Sequence, residues 1–410
     1  MEIQQNNMGI TSPKGFLATG GHIGIKKNKT KNDLTLLISE CPAVAAGVFT
    51  TNPVHAAPVA WGREIINKGN TVRGILINSG NANACTGQQG VLDNKAMAQT
   101  FGELLNVTAE EILVCSTGVI GVPLPMDVVI PGIKTTFPTL GRSVAHGENA
   151  AEGIMTTDSF SKTITVTITL SGKTVTISGI AKGSGMVHPN MATMLAFVTT
   201  DVSISAGMLQ KALSDVTLDT FNMISVDGDT STNDTLFALA NGMAGNEVIE
   251  EENEDYIIFK NALYAVNKKL AMDIAKDGEG ASKFLEAVVL GAKTKENARL
   301  IARSVISSML VKAAMFGADA NWGRVLCAMG YSGGAFDVAN VDIEFQSNAG
   351  TISLMKKGAP IPFSEDDALK ILNEKEIIIK MILKDGDASA TAWGCDLTYD
   401  YVKINGEYRS

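Results

Sequence analysis

The sequence predicts a layered α/β sandwich in which mixed or antiparallel sheets pack against helices. Three observations lead to this prediction: a strand-turn-strand pattern near the middle of the chain, several segments with helical periodicity, and an apolar content of 45% over 410 residues. A chain of that length and composition can bury one large core or two lobes. Because strand and helix signals are mixed rather than strictly alternating, a purely parallel, doubly wound sheet is disfavoured.

The clearest strand signal is a β-hairpin over residues 163–180. Apolar residues alternate with threonines over 164–170, Ser171 and Gly172 follow, and the alternation resumes over 175–177. An alternation with period two predicts strands that bury one face, and the Ser-Gly pair predicts a tight turn between them. Two antiparallel strands are therefore expected at the centre of the chain.

Helices are predicted where apolar residues recur every three or four positions. Capping residues mark several of their ends, because a Ser, Thr or Asp side chain can accept a hydrogen bond from a backbone N–H of the first turn. Thr108 and Glu111 form a capping-box pattern before Ile112. One predicted helix is capped by Asp93 and has an apolar face of Met97, Phe101, Leu104 and Leu105. Three more cover the segments 208–221, 254–275 and 295–316, the last of them ended by Gly317. Another is capped by Ser364 and runs to Ile371.

Three polar, glycine-rich segments lie beside predicted strands and are candidates for a site. Residues 78–87 and 116–121 follow apolar runs, and residues 278–283 precede one. A loop such as 116–121 can aim a hydroxyl and a backbone N–H at a developing oxyanion, or it can be a turn satisfied by its own side chains. Glu279, between two glycines, can hold an ammonium group or stay solvated. The residue types alone leave these alternatives open.

Charge and composition exclude several classes of protein. The formal net charge of −9 argues against a nucleic-acid partner. The five cysteines contain no C-x-x-C pair and the four histidines have no metal-ligand spacing, so neither a disulfide framework nor a metal site is expected. The first fifteen residues do not resemble a secretory signal, and no uncharged apolar run approaches the ~18 residues of a membrane span. We therefore expect a soluble, cytoplasmic protein with no membrane partner.

The segment from residue 180 to 201 combines a turn with a buried strand. Lys182 follows the second hairpin strand, and residues 183–190 have turn composition, with Pro189 barring a helix. The apolar run 191–198 places Thr193 at the start of a buried strand or within it. By itself this pattern is typical of a core threonine.

Here the chain resembles the ornithine acetyltransferase family. The run KGSGMVHPNMATML at 182–195 is similar to the processing site of that family. The similar segments follow a consistent order over nearly the whole chain. They are NSGNANACTG at 78–87, STGVIG at 116–121, IMTTD at 154–158, SVDGDTSTND at 225–234, GADANWGR at 317–324 and AWGCDLTYDYVKING at 392–406.

The resemblance implies that the precursor cuts itself between Ala192 and Thr193. The products would be an α chain, residues 1–192, and a β chain, residues 193–410. The Thr193 hydroxyl would attack the preceding carbonyl, and an N→O acyl shift would give an ester that water hydrolyses. The released α-amine, with a reference pKa of about 7.7–8.0, could then serve as a base for the hydroxyl of the same residue.

The resemblance also implies a ping-pong acetyl transfer. Thr193 takes the acetyl group from N-acetylornithine, ornithine leaves, and glutamate attacks the acetyl-Thr193 ester to give N-acetylglutamate. The implied oxyanion hole is Thr117 and Gly118. The implied substrate contacts are Thr156, Lys182, Thr193, Glu279, Asn405 and Ser410. The choice between Thr156 and Thr157 stays open. Ser410 stands where family members commonly end in threonine.

In this reaction Lys182 would pair with a substrate carboxylate and Glu279 with the ornithine side-chain ammonium. No cofactor or metal is expected. The resemblance leaves open whether acetyl-CoA is a second acetyl donor, and it implies that the α and β chains assemble as an (αβ)₂ heterotetramer. Two other classes remain as alternatives: a self-processing aminopeptidase or amidohydrolase of related fold, in which water is the acceptor, and an uncut binding protein.

Overall fold

The structure, a computed structural model, describes residues 2–3, 8–188 and 194–407. These residues form a mixed α/β fold with two sheets and surrounding helices, which confirms the predicted fold class. The strands are β1 (Glu2–Ile3), β2 (Phe16–Gly21), β3 (Leu34–Phe49), β4 (Val72–Asn81), β5 (Ile112–Val119), β6 (Lys162–Leu170), β7 (Lys173–Lys182), β8 (Leu195–Thr200), β9 (Ile224–Ser225), β10 (Thr235–Ala240), β11 (Phe284–Ala292), β12 (Asp342–Ser347), β13 (Gly350–Lys356), β14 (Ala359–Pro360), β15 (Glu376–Ile382) and β16 (Ala388–Cys395). The α-helices are α1 (Ala57–Lys68), α2 (Gly87–Leu105), α3 (Met126–Thr136), α4 (Val144–Gly153), α5 (Ala206–Thr217), α6 (Glu254–Lys276), α7 (Lys295–Ser307), α8 (Met309–Phe316), α9 (Trp322–Gly330), α10 (Glu365–Leu372) and α11 (Tyr399–Gly406).

The chain divides into two compact units. Their boundaries do not follow the predicted break between residues 192 and 193, because each unit contains residues from both sides of that bond. The predicted α and β chains therefore remain a prediction. The first unit consists of Met1–Gly183, Asn190–Leu218 and Thr230–Leu270, and the second of Ser184–Pro189, Asp219–Asp229 and Ala271–Ser410.

The first unit is built on a nine-stranded sheet with the order β1-β6-β7-β8-β10-β3-β4-β5, with β2 paired to β3. β6 and β7 form the predicted hairpin, in which Leu170 pairs with Lys173. Ser171 and Gly172 both have positive φ, as a tight two-residue hairpin turn requires. β7 runs antiparallel to β8, and β8 runs parallel to β10. β8 is thus an interior strand, and all of its residues are buried.

Apolar side chains cover both faces of β4 in this unit. Ile75 and Ile77 belong to a cluster that includes Phe197 of β8, whereas Leu76 belongs to a second cluster with Phe101 of α2. Alternate residues of a strand point to opposite faces, so β4 lies between two apolar layers. This burial fixes the position of β4 and of its parallel neighbour β5.

The second unit is built on a seven-stranded sheet with the order β14-β13-β12-β15-β11-β16-β9. β11 is central, with β15 parallel on one side and β16 antiparallel on the other. Helix α7 packs on β11 and β16, and α10 packs on β12 and β13. The apolar run that follows residues 278–283, at 287–290, lies within β11.

Several predicted helix ends are confirmed. α6 covers the predicted segment 254–275, and Ser364 caps α10 by accepting a hydrogen bond from Asp367 N. Thr108 and Glu111 form the predicted capping box, although the turn that they cap is a short 3₁₀ helix before β5. Within the described residues, no helix combines the length and the apolar character that crossing a bilayer requires.

Three helix predictions need correction. Asp93 is not a cap, because α2 already begins at Gly87 and Asp93 accepts a hydrogen bond from Gln89 inside the helix. The segment 208–221 is helical only through Thr217. The segment 295–316 forms two helices, α7 and α8, because Ser308 is extended and ends the first while capping the second.

Candidate functional site

The residues implied by the family resemblance fall in both units. The structure brings Thr117, Gly118, Thr156 and Lys182 into the first unit, and it places Glu279 and Asn405 in the second. Three further residues, Ala192, Thr193 and Ser410, lie outside the described residues.

Thr117 and Gly118 lie at the end of β5, where it runs parallel to β4. Gly118 pairs with Gly80 and has a φ of +134°, a conformation that L residues with a side chain rarely adopt. A Cβ at Gly118 would also clash with the backbone of Gly80 and Asn81. Only glycine allows this close approach of the two strands, and it leaves the backbone of β5 without a side chain beside the Thr117 hydroxyl.

Buried amides hold this end of β4 and β5. Asn78 Nδ2 donates to the carbonyl of Asn81 at 2.8 Å, and Asn78 Oδ1 accepts from Ser116 Oγ at 2.6 Å. Asn81 Nδ2 donates to the carbonyls of Val122 and Pro123. The polar segments 78–87 and 116–121 therefore do satisfy their own backbone groups, and in doing so they fix the position of Thr117.

Lys182 reaches Thr117 from the end of β7. Its Nζ donates to Thr117 Oγ1 at 3.3 Å, and both side chains are buried. Lys182 pairs with Leu195 in the β7–β8 ladder, so it flanks the start of β8. A hydroxyl, an ammonium and a glycine backbone thus converge near the start of β8. The first residue of that strand, Leu195, comes two residues after position 193.

Asp158 organises the residues around Lys182. Its Oδ1 accepts from Lys162 Nζ and from Gly183 N, both at 2.7 Å, and its Oδ2 accepts from Thr156 N at 2.9 Å. Burial opposes ionisation of Asp158, but the charges of Lys182 and Lys162 and the hydrogen bond from Gly183 prevail and lower its pKa to about 2. Asp158 is therefore negatively charged at neutral pH, and it fixes the backbone beside both Thr156 and Lys182.

Lys26 is a further cation of this region. Its Nζ donates to the carbonyls of Asn32, at 2.6 Å, and Met155, at 2.7 Å. Burial lowers its pKa to about 8, and the positive charge of Lys182 adds to this effect, while Asp33 opposes it. Lys26 thereby holds the residue that precedes Thr156.

Asp234 is a fully buried carboxyl group at the start of β10. Burial raises its pKa well above its usual range, although hydrogen bonds from Ser231 and the charge of Lys182 oppose the shift. Among the described residues, Asp234 Oδ2 has no hydrogen-bond partner. Burial thus disfavours the charged form of Asp234, whereas the carboxylate of Asp158 is stabilised by the charge of Lys182.

In the second unit, Glu279 and Asn405 are in direct contact. Asn405 Nδ2 donates to Glu279 Oε2 at 2.8 Å, and Glu279 N donates to the carbonyl of Ser184 at 2.8 Å. Glu279 is buried, and none of the ion pairs found among the described residues involves it. Its carboxylate contacts Gly185 so closely that a Cβ there would clash with it. A buried carboxylate of this kind favours a cationic ligand.

Tyr401 and Asp227 brace the same part of the second unit. The Tyr401 hydroxyl donates to Asp227 Oδ2 at 3.1 Å, and Asp227 accepts from Met186 N and Val187 N. Burial raises the pKa of Tyr401, and the charge of Asp227 raises it further. Helix α11, which carries Asn405, is thereby tied to the segment 184–188.

His188 lies at the end of that segment and is held as a neutral imidazole. Burial lowers its pKa to about 4, and the charge of Arg303 contributes. Arg303 Nη2 lies 3.3 Å from His188 Nε2, and Ser225 Oγ lies 3.1 Å from His188 Nδ1. Since arginine can only donate, Nε2 must accept and the proton must lie on Nδ1.

Sequence reasoning missed most of these supporting residues. Lys162 left one detectable signal, because it occupies an inward-facing position in the alternation that continues through Ile164 and Val166. A lysine on a buried face predicts a carboxylate partner. Lys26 gave no comparable pattern, since it donates to Met155, which is distant in sequence. Asp158 and Asp234 lie outside regular strands and helices, where no periodicity marks a buried position.

Comparisons with known proteins support a family assignment. The model of the ArgJ family matches residues 17–410. An arginine biosynthesis bifunctional protein ArgJ from Caldanaerobacter subterraneus subsp. tengcongensis is 53% identical over 98% of both chains. A protein named arginine biosynthesis bifunctional protein ArgJ 1, from Clostridium acetobutylicum, is 52% identical over 99% of this chain and 98% of its own. The crystal structure of arginine biosynthesis bifunctional protein argJ from Bacillus halodurans is 46% identical with a TM-score of 0.50, and the match covers 52% of this chain and 99% of that chain.

Proposed function

Because the chain belongs to the ArgJ family, we propose that this acyltransferase cuts itself before Thr193 and moves an acetyl group from N-acetylornithine to glutamate in arginine biosynthesis. The observation that carries the proposal is the convergence of Lys182 and Thr117, 3.3 Å apart, beside Gly118 at the edge where β8 begins. In the sequence, one residue, Met194, separates Thr193 from that strand.

Self-cleavage would create the nucleophile. The Thr193 hydroxyl oxygen attacks the Ala192 carbonyl carbon, the peptide C–N bond breaks, and the amine takes up a proton. Water then hydrolyses the resulting ester and leaves a carboxylate on Ala192. The free α-amine on Thr193 is the base that the hydroxyl needs, because an unassisted hydroxyl is a weak nucleophile at neutral pH.

Acetyl transfer would follow in two steps on the same oxygen. The hydroxyl attacks the acetyl carbonyl of N-acetylornithine, the amide C–N bond breaks, and ornithine leaves with the proton. The α-amine of glutamate then attacks the acetyl-Thr193 ester, and the hydroxyl is restored. Each tetrahedral intermediate carries a negative oxygen, which Thr117 Oγ1 and Gly118 N are suited to stabilise.

Charge complementarity supports the proposed substrate contacts. Lys182 is a buried ammonium that suits the substrate carboxylate, and Thr156 is held near it through Asp158. Glu279 is a buried carboxylate that suits the side-chain ammonium of ornithine, with Asn405 orienting it. Ser410 stays a proposed contact by family resemblance alone.

The remaining expectations belong to the same proposal. No metal or other cofactor is needed for these steps. Whether acetyl-CoA also donates an acetyl group to glutamate stays open, and an assay of acetyl transfer from acetyl-CoA to glutamate by the purified protein would decide this question. The half-length chain of the Bacillus halodurans match supports cleavage near the middle. We propose an (αβ)₂ assembly in the cytoplasm, as the family resemblance and a biosynthetic role suggest.

The test is a denaturing gel combined with mass spectrometry during turnover. We expect two bands of about 20 and 23 kDa, in proportion to 192 and 218 of the residues that share 43.2 kDa. With N-acetylornithine the β chain should gain an acetyl group on Thr193. Thr193→Ala should stay uncut and inactive, whereas Thr193→Ser retains the hydroxyl and should still be processed.

Two outcomes would contradict the proposal. Active wild-type protein that runs as a single band would exclude self-cleavage. Acetate release from N-acetylornithine that added glutamate does not change would instead favour the hydrolase alternative.

A further inference from the structure

Asn233 is a buried asparagine just before β10. Its side-chain Nδ2 donates to the carbonyl of Ala82 at 2.6 Å and to the carbonyl of Ser116 at 2.8 Å. Its Oδ1 accepts from the Thr232 hydroxyl at 2.6 Å. Because carbonyl oxygens can only accept, these contacts fix which end of the amide faces them. Asn233 therefore bridges two backbone segments.

The two bridged residues, Ala82 and Ser116, flank the point at which the β4–β5 ladder becomes irregular. β4 and β5 pair in regular parallel register up to Gly80 and Gly118, after which Asn81 faces both Thr117 and Val119. Beyond this point Ala82 N donates to the carbonyl of Val119 at 3.0 Å. The Asn233 amide adds a side-chain link between Ala82 and Ser116, the residue before Thr117.

Asn233 is also tied to the strand that follows position 193. Thr235 N donates to the carbonyl of Met194 at 2.9 Å, and β10 runs parallel to β8 from that point. The Asn233 side chain and the Thr235 N–H, two residues apart in the chain, together connect the end of β5 with the start of β8. Both ends of this connection lie within the first unit.

We propose that Asn233 is a positioning residue for acetyl transfer, holding Thr117 and Gly118 in place relative to the nucleophile at position 193. This inference rests on the proposed function. After the proposed cleavage Asn233 belongs to the β chain, whereas Ala82 and Ser116 belong to the α chain. The amide is then a hydrogen-bonded link between the chain that carries the nucleophile and the chain that carries the oxyanion donors.

A positioning role predicts a specific kinetic change. Oxyanion donors act mainly in the transition state, and a misplacement of about 1 Å costs about 10²-fold in rate. Asn233→Asp keeps the shape of the side chain but removes both N–H donors. We expect it to slow acetylation of Thr193 by about 10- to 100-fold, with the KM for N-acetylornithine changed less than about threefold.

Asn246 provides a matched control in the same unit. Asn246 and Asn233 are each 6% exposed, and Asn246 Nδ2 also bridges two carbonyls, those of Ser203 at 3.1 Å and Glu247 at 2.7 Å. Asn246→Asp should lower the melting temperature about as much as Asn233→Asp, yet it should acetylate Thr193 at the wild-type rate. Only a positioning role separates the two variants in this way.

The measurements are the ornithine burst in single turnover, the extent of self-cleavage, and thermal unfolding. Should Asn233→Asp fail to fold or to be cut, Asn233→Ser, which keeps one small donor, is measured in the same way. The proposal is overturned if the Asn233 and Asn246 variants show an equal decrease in the rate of Thr193 acetylation, or if only the KM for N-acetylornithine changes. It is also overturned if both Asn233 variants fold but remain uncut. Absence of acetyl-Thr193 in wild type and in Asn246→Asp would instead show that the proposed function has failed.

Discussion

At the residue scale, Asp158 and Lys162 are a fully buried ion pair whose charged atoms lie 2.7 Å apart. Removing two charges from water is costly, and their attraction offsets the cost only where further hydrogen bonds satisfy both groups. Asp158 meets this condition through Gly183 N and Thr156 N. The pair is therefore coupled to the two backbone segments that carry Thr156 and Lys182.

Breaking this pair should unfold the first unit more easily. Asp158→Asn leaves the Lys162 ammonium buried without its carboxylate, which typically costs about 3–5 kcal/mol. The double variant Asp158→Asn/Lys162→Met removes both charges of the pair and should recover part of that loss, because Lys182 still lacks the nearby carboxylate. Urea unfolding at pH 7 gives the free energies, and equal destabilisation of the single and double variants would contradict the prediction.

The same carboxyl group predicts how stability depends on acid. The folded-state pKa of Asp158, about 2, lies below its ordinary value of 3.8, so the folded protein holds the proton less tightly than the unfolded chain does. The stabilisation is present above about pH 4 and is lost as the pH falls through about 2. From the pKa shift it amounts to about 2 kcal/mol. Unfolding curves between pH 2 and 6 should show this component in wild type and lack it in the double variant.

Gly118 should tolerate no side chain. Gly118→Ala places a Cβ against the backbone of Gly80 in a conformation with positive φ, so the end of β5 must move. We expect acetyl transfer to fall by about 10²-fold or more, as when an oxyanion donor is lost. Gly121→Ala is the control, because Gly121 also has positive φ but a Cβ there would meet open space. A comparable loss of acetyl transfer in Gly121→Ala would show that backbone strain alone explains the result for Gly118→Ala.

Single residues were predictable from sequence only where a short pattern contained them. The Thr108–Glu111 capping box lies within four consecutive residues and is recognisable in the sequence. Asn233 bonds to Ala82 and Ser116, which are more than a hundred residues away in sequence. A contact of that kind depends on the sheet order, which periodicity does not reveal.

At the element scale, the division between α7 and α8 shows how a single serine can interrupt an apolar pattern. Ser308 has a ψ of 115°, outside the helical range, and its side chain accepts from Val311 N. The apolar periodicity continues across the break, which is why one helix was predicted over 295–316. By contrast, the hairpin of β6 and β7 was predicted correctly because the turn residues interrupt its alternation visibly.

Ser308 should contribute to stability as a helix cap. Ser308→Ala removes the acceptor for the first turn of α8 and should lower the free energy of unfolding by about 1 kcal/mol. Ser308→Asn retains a capping oxygen and should stay close to wild type. Chemical denaturation of the three proteins checks this, and a fully stable Ser308→Ala protein would mean that water replaces the cap at no cost.

At the scale of the whole molecule, the fold class followed from the mixture of hairpin and helical patterns, but the order of the strands did not. If the chain is cut as proposed, β1 to β7 belong to one product and β8 to β16 to the other. In the first sheet β8 and β10 then lie between β7 and β3 of the partner product. Six residue pairs join β8 to β7, and six join β10 to β3.

The two products should therefore stay together after cleavage. Separating them requires breaking two interior strand ladders and exposing the apolar residues of β8. We expect gel filtration in native buffer to give a single species that contains both bands, and only urea or guanidinium to resolve them. Free α or β chain released in native buffer would contradict this expectation.

The pairing of β3 with β10 also sets an order of events during synthesis. It joins residues 44–49 to residues 235–240, so the later strand leaves the ribosome about 190 residues after its partner. Until then β8, which begins two residues after position 193, lacks its neighbour β10. On the proposed mechanism, the chain would be severed only once its sheet has closed, and the appearance of the two fragments would time the completion of folding in the cell.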